Sequence, residues 1–293
     1  MIVPPPATIR RVAFFGTPEL AVAPLKAIVF AGLEVPIVVS APDKRRGRGS
    51  DLSPSPVKAW AAEAGLVTSD DPDDVLSHEV DLAVVVAYGR LLRPPLLERV
   101  AFVNLHVSLL PRWRGAAPIE RAILAGDDRT GVCVMEVTEG LDEGGVYARA
   151  ETEIGRKTAD DLRSELVSAG TALLLDCIVG GFGPAVPQDG EVTYAAKLVV
   201  GERLLDWTLP AEQVDRVVRI GGAWTTIAGK RLKVLEAAPV DTELPPGALD
   251  VTSATVGCGT RSLALVIVQP EGRAPMKAAD WIRGAHGAAR LGS

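Results

Sequence analysis

Four short apolar runs, at residues 9–16, 34–40, 82–87 and 102–108, alternate with helix-like segments and dominate the first part of this chain. They close at or beside Gly16, Ser40, Tyr88 and Ser108. Residues 19–31 and 57–64 carry the intervening helical spacing. Strand–helix–strand repetition predicts a parallel sheet with helices on both faces. In such sheets, sites gather outside the carboxyl ends of the strands. The four closing residues therefore predict a single cleft.

Farther along, Pro118 near the start of 117–125 marks another helix. Residues 131–136 and 145–153 read as strands. Residues 158–180 form a long helix with Leu162, Leu166, Leu173 and Leu174 at helical spacing. A Gly- and Pro-rich connector occupies 180–190. After Trp207 the texture changes to a short helix at 211–220 and short strands at 225–227, 230–236, 254–257 and 263–269. That pattern predicts a small β-barrel.

At 293 residues and 47% hydrophobic, the chain can bury the core of one large or two ordinary domains. No apolar run approaches the roughly 18 residues of a membrane span, and residues 1–7 lack signal-peptide order. Cys133, Cys177 and Cys258 are widely spaced and form no CxxC, which predicts neither a zinc site nor a disulfide framework. Reduced, packed thiols in a cytoplasmic protein are expected. The net charge of −6 argues against general nucleic-acid coating. It is uneven: residues 206–293 carry 10 Lys and Arg against 9 Asp and Glu, leaving 21 against 28 in the first 205. A phosphate-bearing partner would have to meet local basic patches.

The densest chemistry lies in Asn104-Leu105-His106-Val107-Ser108, followed by Asp142 between Gly140 and Gly144. Strand alternation puts Asn104, His106 and Ser108 on one face. Asn104 can donate an amide N–H to a developing oxyanion, and His106 can handle a proton near neutral pH. Asp142 can orient or charge-stabilise the imidazole. Spacing alone fits an ordinary strand end and turn equally well, since Asn and Asp are common in turns. His78 and His286 read as surface residues, so His106 is the acid–base candidate.

Gly16-Thr17-Pro18-Glu19 has one glycine where a dinucleotide fingerprint needs three, so NAD binding is not expected. It predicts a turn with Pro18 at the first helical position. Lys44-Arg45-Arg46-Gly47-Arg48-Gly49 predicts a surface loop, either simply solvated or ordering on RNA phosphates. Arg112, Trp113 and Arg114 can form a packing corner or an RNA-facing surface.

Taken in order, these motifs resemble the methionyl-tRNA formyltransferase family. The residues that carry the resemblance are Phe14-Phe15-Gly16-Thr17-Pro18-Glu19, Pro42-Asp43 through Gly49, Ser53-Pro54-Ser55-Pro56-Val57-Lys58, Val84 through Gly89, Ser108 through Ile119, and Leu141-Asp142-Glu143-Gly144. It continues through Val192-Thr193-Tyr194-Ala195, Asp206-Trp207 and Gln269-Pro270-Glu271-Gly272.

The resemblance implies an α/β architecture: a Rossmann-like formyltransferase domain with a parallel-sheet core over 1–189, a linker at 190–205, and an OB-like, tRNA-binding β-barrel over 206–293. It implies 10-formyltetrahydrofolate as donor and initiator methionyl-tRNA as acceptor, with Asn104, His106 and Asp142 catalytic. Folate contacts would come from Val86, Ala87, Tyr88, Ser108, Leu109, Leu110, Pro111, Gly140 and Leu141, largely through the backbone. tRNA contacts would come from Lys44, Arg45, Arg46, Arg48, Arg112 and Arg114. A cytoplasmic monomer is expected, with no metal and no membrane partner.

The chain departs from the family pattern at two places. Ser50 and Asp51 follow the basic loop where lysines are usual, and residues 219–224 are shortened. A formyltransferase for amino-sugar nucleotides would share the triad but give no reason for the basic loop or the long tail. A non-enzymatic RNA-binding protein would leave the triad unexplained. A hydrolase releasing formate would show activity with no amine acceptor.

Overall fold

The computed structural model describes residues 2–45, 52–284 and 290–292. The chain divides into two compact units. The first comprises Met1–Ile119, Arg129–Glu153 and Arg163–Ala196, and the second Glu120–Asp128, Ile154–Leu162 and Lys197–Ser293.

The first unit is built on a seven-stranded sheet. Its strands are β1 (Val12–Gly16), β2 (Val38–Val39), β3 (Thr68–Ser69), β4 (Leu82–Val86), β5 (Phe102–His106), β6 (Arg129–Glu136) and β7 (Val146–Glu153). Their spatial order is β7-β6-β5-β4-β1-β2-β3. Strands β1 to β5 pair in parallel, as the alternating pattern predicts. Strands β6 and β7 extend this parallel core with antiparallel neighbours: β6 begins at the carboxyl end of β5 and runs back along it, His106 opposite Cys133 and Val103 opposite Glu136. An apolar run reads the same in either direction, so periodicity gives no warning of the reversal.

The chain moves outward from β1 to β2 and β3, then returns to place β4 on the other side of β1. This reversal is the switch point at which open α/β sheets form their crevice. Burial explains why strands form here. Every residue of β1 is buried, and Phe15 meets Tyr88 and Phe102 edge-on at centroid distances of 5.4 and 5.3 Å.

The helices α1 (Val22–Phe30) and α2 (Pro56–Glu63) follow the expected segments closely. Ser55 caps α2 by accepting the Lys58 N–H at 3.0 Å. Pro18 is not at a first helical position: it is the N-cap of a short 3-10 turn, Glu19–Ala21, that leads into α1. The run at 34–40 is buried at Val35, Ile37, Val38, Val39 and Ser40, yet only Val38–Val39 pairs as strand. Helix α3 spans Pro118–Ala125 and α4 spans Ala159–Gly180.

In the second unit, helix α5 (Ala211–Arg219) precedes an antiparallel six-stranded sheet. Its strands are β8 (Trp224–Ile227), β9 (Lys230–Val240), β10 (Leu249–Asp250), β11 (Thr255–Gly257), β12 (Ser262–Pro270) and β13 (Met276–Lys277). β9 carries register shifts at Val234/Glu236 and Glu236/Ala237, irregularities that bend long strands. Trp207, Val214, Val218, Leu232, Val256 and Leu263 belong to its buried core. Asp215 on α5 is buried as well, with Arg219 at 3.1 Å and Arg156 at 3.2 Å. Burial pushes its carboxyl above the usual carboxylate range against the pull of both arginines.

Candidate active site

Strands β1, β4 and β5 end side by side. Gly16 pairs with Val86, and Val85 pairs with Asn104. The three candidate catalytic side chains meet at these ends. Asn104 Nδ2 donates to Asp142 Oδ1 at 3.3 Å, and His106 Nδ1 lies 3.6 Å from Asp142 Oδ2. Because a carboxylate only accepts, the contact with Asp142 orients the Asn104 amide with its nitrogen toward the site.

Asp142 reaches this position through a left-handed backbone, φ 51°. Ala87 at φ 48° and Trp113 at φ 63° share that conformation. Each costs backbone energy for a residue with a side chain, and such costs concentrate where function over-determines geometry.

The segment after β5 folds back over the imidazole. His106 Nε2–H donates to the Trp113 carbonyl at 3.0 Å. Ser108 Oγ donates to the Arg112 carbonyl at 2.6 Å and approaches the Trp113 carbonyl at 3.4 Å. Within this fold-back the Leu110–Pro111 peptide is cis. Both imidazole nitrogens thus face oxygen acceptors, Trp113 O and the Asp142 carboxylate. Of the polar residues along this strand and its end, His106 and Ser108 are buried and Asn104 is half-buried.

The Asp142 carboxylate is held by more than the triad. Oδ2 accepts the Gly115 main-chain N–H at 2.8 Å. Gly115 lies in a two-residue strand, Arg114–Gly115, paired with Tyr194–Ala195. Its φ is 118°, and a Cβ there would meet the Ala195 carbonyl oxygen at 3.1 Å, so the position suits glycine. Thr193 Oγ1 accepts the Trp113 N–H at 2.9 Å, tying this pair to the fold-back.

One contributor, Gln188, escapes sequence reasoning, and a second, Thr17, lies in the Gly16–Glu19 turn. Gln188 Nε2 donates to the carbonyls of Asp142 and Gly144, each at 2.8 Å, while its Oε1 accepts from Arg114 at 2.7 and 3.2 Å. Thr17 Oγ1 donates to the Tyr88 carbonyl at 3.2 Å. Neither residue type is distinctive by itself. Thr17 and Thr193 had a signal, their places in the Gly-Thr-Pro-Glu and Val-Thr-Tyr-Ala runs.

The expected folate residues fall into two groups. Val86, Tyr88, Ser108, Leu110 and Pro111 are buried. Ala87 is exposed, Leu109 and Gly140 are intermediate, and the Leu141 side chain is 47% exposed. Burial raises the Tyr88 phenol above its usual range.

Thr17, Pro18, Lys44, Tyr88, Gly89 and Arg90 line much of a cleft of about 540 Å³ at the switch point. Lys44 and Arg45 are exposed and pair with Leu52–Ser53, forming an ordered stem. Arg46 and Arg48 lie outside the described residues. Arg112 stacks over the Trp113 ring at 4.6 Å. The Arg114 side chain is 11% exposed and donates to Gln188 Oε1. Among the described residues, no group of three or more His, Cys, Asp or Glu could hold a metal ion.

Comparison with known proteins adds a second line. Residues 10–178 match the Formyl transferase family and residues 197–286 match the Formyl transferase, C-terminal domain. A methionyl-tRNA formyltransferase from Streptomyces coelicolor is 44% identical over 299 residues, covering 94% of this chain and 96% of that protein. One from Paracoccus denitrificans is 42% identical over 290 residues, covering 94% and 97%. An N-formyltransferase from Helicobacter canadensis, solved with folinic acid and dTDP-3-aminofucose, has the same fold. The TM-score is 0.67 at 14% identity, over 88% of this chain and 99% of that one.

Proposed function

The chain belongs to the methionyl-tRNA formyltransferase family, and from that membership we propose how its residues divide the reaction. The enzyme transfers a formyl group from a folate donor to the free amino group of methionyl-initiator tRNA, for translation initiation. We take the donor to be 10-formyltetrahydrofolate.

The neutral methionyl amine attacks the formyl carbon. A C–N bond forms, and the carbonyl electron pair moves onto oxygen. Asn104 Nδ2–H stabilises that oxyanion, and His106 serves it from the Nδ1 side, its Nε2–H being held by the Trp113 carbonyl. Collapse breaks the bond from the formyl carbon to the folate nitrogen. The proton lost by the methionyl nitrogen passes to that leaving nitrogen by way of His106, with Asp142 facing the charge in transit. The observation that carries this assignment is the meeting of Asn104, His106 and Asp142 at the ends of parallel strands. All three belong to one chain, which supports a monomer as the working unit.

For the folate we assign the main chain at Val86, Ala87, Tyr88, Gly140 and Leu141, with Ser108, Leu109, Leu110 and Pro111 along the fold-back. The burial of the Tyr88 ring and the exposure of Leu141 support a site read through backbone atoms and one apolar side chain. For tRNA we assign Lys44, Arg45, Arg46, Arg48 and Arg112, together with residues 206–293. The charge of Lys44 beside the switch-point cleft supports an acceptor-end approach there. A charged initiator tRNA as acceptor supports a cytoplasmic reaction.

Formyl transfer from 10-formyltetrahydrofolate, measured with charged initiator methionyl-tRNA and with an amino-sugar nucleotide as rival acceptors, tests this reading. Transfer to tRNA alone supports it. Transfer only to the sugar, or release of formate with neither acceptor, contradicts it.

A further inference from the structure

Gln188 closes a ring of hydrogen bonds around the catalytic carboxylate. Asp142 Oδ2 accepts from Gly115 N at 2.8 Å. The residue before Gly115 is Arg114, whose guanidinium donates to Gln188 Oε1 at 2.7 and 3.2 Å. Gln188 Nε2 then returns to the Asp142 carbonyl at 2.8 Å and takes the Gly144 carbonyl at the same distance. Asp142 is thereby gripped at both ends, its carboxylate by Gly115 and its carbonyl by a side chain anchored to the preceding residue, Arg114.

The chemistry of the partners fixes the amide. The two carbonyls only accept and the guanidinium only donates, so the Gln188 oxygen and nitrogen cannot exchange places. Both amide hydrogens and the amide oxygen are in use. No other natural side chain of this length offers two donors on one atom and an acceptor on its neighbour: Glu lacks the donors and Met lacks both.

The grip falls where the backbone needs it. Asp142 stands at φ 51°, a conformation unfavourable for a residue with a Cβ. Its segment carries Gly140, Gly144 and Gly145, which do little to hold it there.

From this we infer that Gln188 is a positioning residue of the formyl transfer, one that holds Asp142 at its working distance from His106 and Asn104 without touching substrate. The inference rests on the catalytic reading of Asp142.

The test uses the full-length enzyme, with Gln188→Met and Gln188→Glu beside Asp142→Asn and the double variant Gln188→Met/Asp142→Asn. A misplacement of about 1 Å can lower a rate 10²-fold, so Gln188→Met is expected to lower kcat roughly 10- to 100-fold. KM values for donor and tRNA should stay within about twofold, and the pH profile of kcat should move toward that of Asp142→Asn. Gln188→Glu should not rescue, because a carboxylate cannot donate to two carbonyls. On the Asp142→Asn background, Gln188→Met should add almost nothing. If Gln188→Met fails to fold, Arg114→Met serves in its place: it removes one link and should give a smaller loss with the same change in pH profile. A defective Asp142→Asn beside a wild-type-like Gln188→Met overturns the inference. Equal, additive losses with unchanged pH profiles also overturn it, since they mark a purely structural role. An active Asp142→Asn instead sinks the catalytic reading itself.

Discussion

His106 Nδ1 and Asp142 Oδ2 stand 3.6 Å apart, one residue at the end of a buried strand and the other in a left-handed turn. That separation exceeds a direct hydrogen bond. The same carboxylate oxygen lies at 2.8 Å from the Gly115 N–H, which draws it toward the paired strand. The carboxylate is therefore fixed by the main chain and faces the ring without depending on it. Such an arrangement meets the positive charge that a passing proton brings, while the Trp113 carbonyl orients the imidazole through Nε2–H.

Replacing Asp142 by Asn keeps the size of the side chain and an oxygen for Gly115. It removes the negative charge opposite His106. We expect kcat to fall by about 10²-fold or more, with an altered pH profile and a thermal midpoint close to wild type. Steady-state kinetics across pH, beside a melting curve, measures both. An unchanged kcat would remove Asp142 from the proton path.

Asn104→Ala removes the amide donor beside the imidazole. The expected loss in kcat is roughly 10²- to 10³-fold, the range for one oxyanion donor. Binding of tRNA, followed by filter retention, should change little. A normal rate would exclude Asn104 from the chemistry.

Much of this site is legible in the chain. Asn104, His106 and Asp142 are few-purpose residues placed beside turn-forming ones, and the ends of β1, β4 and β5 follow from their apolar runs. Other features are illegible for physical reasons. The run at 34–40 is largely buried, but only Val38–Val39 forms a continuous strand, Glu34 making an isolated bridge to Arg11, and burial does not distinguish strand from coil. The reversal at β6 leaves no trace because apolar alternation has no direction. The two-residue strands Leu249–Asp250 and Met276–Lys277 are too short to show a period. Gln188 is silent because its role lies in four contacts with distant residues, none of which marks the local sequence.

Lys44→Ala and Arg45→Ala bear on the RNA approach. Each should raise KM for tRNA and leave donor binding intact. Each should also lower the slope of log binding constant against log salt, by about 0.7 to 0.9 if the side chain meets one phosphate. Titrations at several salt concentrations give that slope. An unaltered slope would make the stem a solvated surface.

Arg219→Met tests stability in the second unit. Arg219 is 12% exposed and donates to the Gly155 and Lys157 carbonyls while flanking Asp215. Its loss leaves a buried carboxylate with only the more exposed Arg156, and we expect destabilisation of about 2–4 kcal/mol near neutral pH. Asp215 already titrates above its ordinary range in the folded protein, and losing Arg219 raises it further. A raised carboxyl favours folding below its unfolded pKa, and that advantage fades as pH rises through the folded value. The deficit of the variant should therefore be larger at pH 7 than at pH 5. Melting curves at the two pH values decide; an equal or opposite difference would contradict the assignment.

The most direct measurement is formyl transfer from 10-formyltetrahydrofolate to charged initiator methionyl-tRNA by the wild-type enzyme and by His106→Ala. The account predicts transfer by the wild type and its near-complete loss in a variant that remains folded and still binds both substrates. Undiminished transfer by His106→Ala would contradict it.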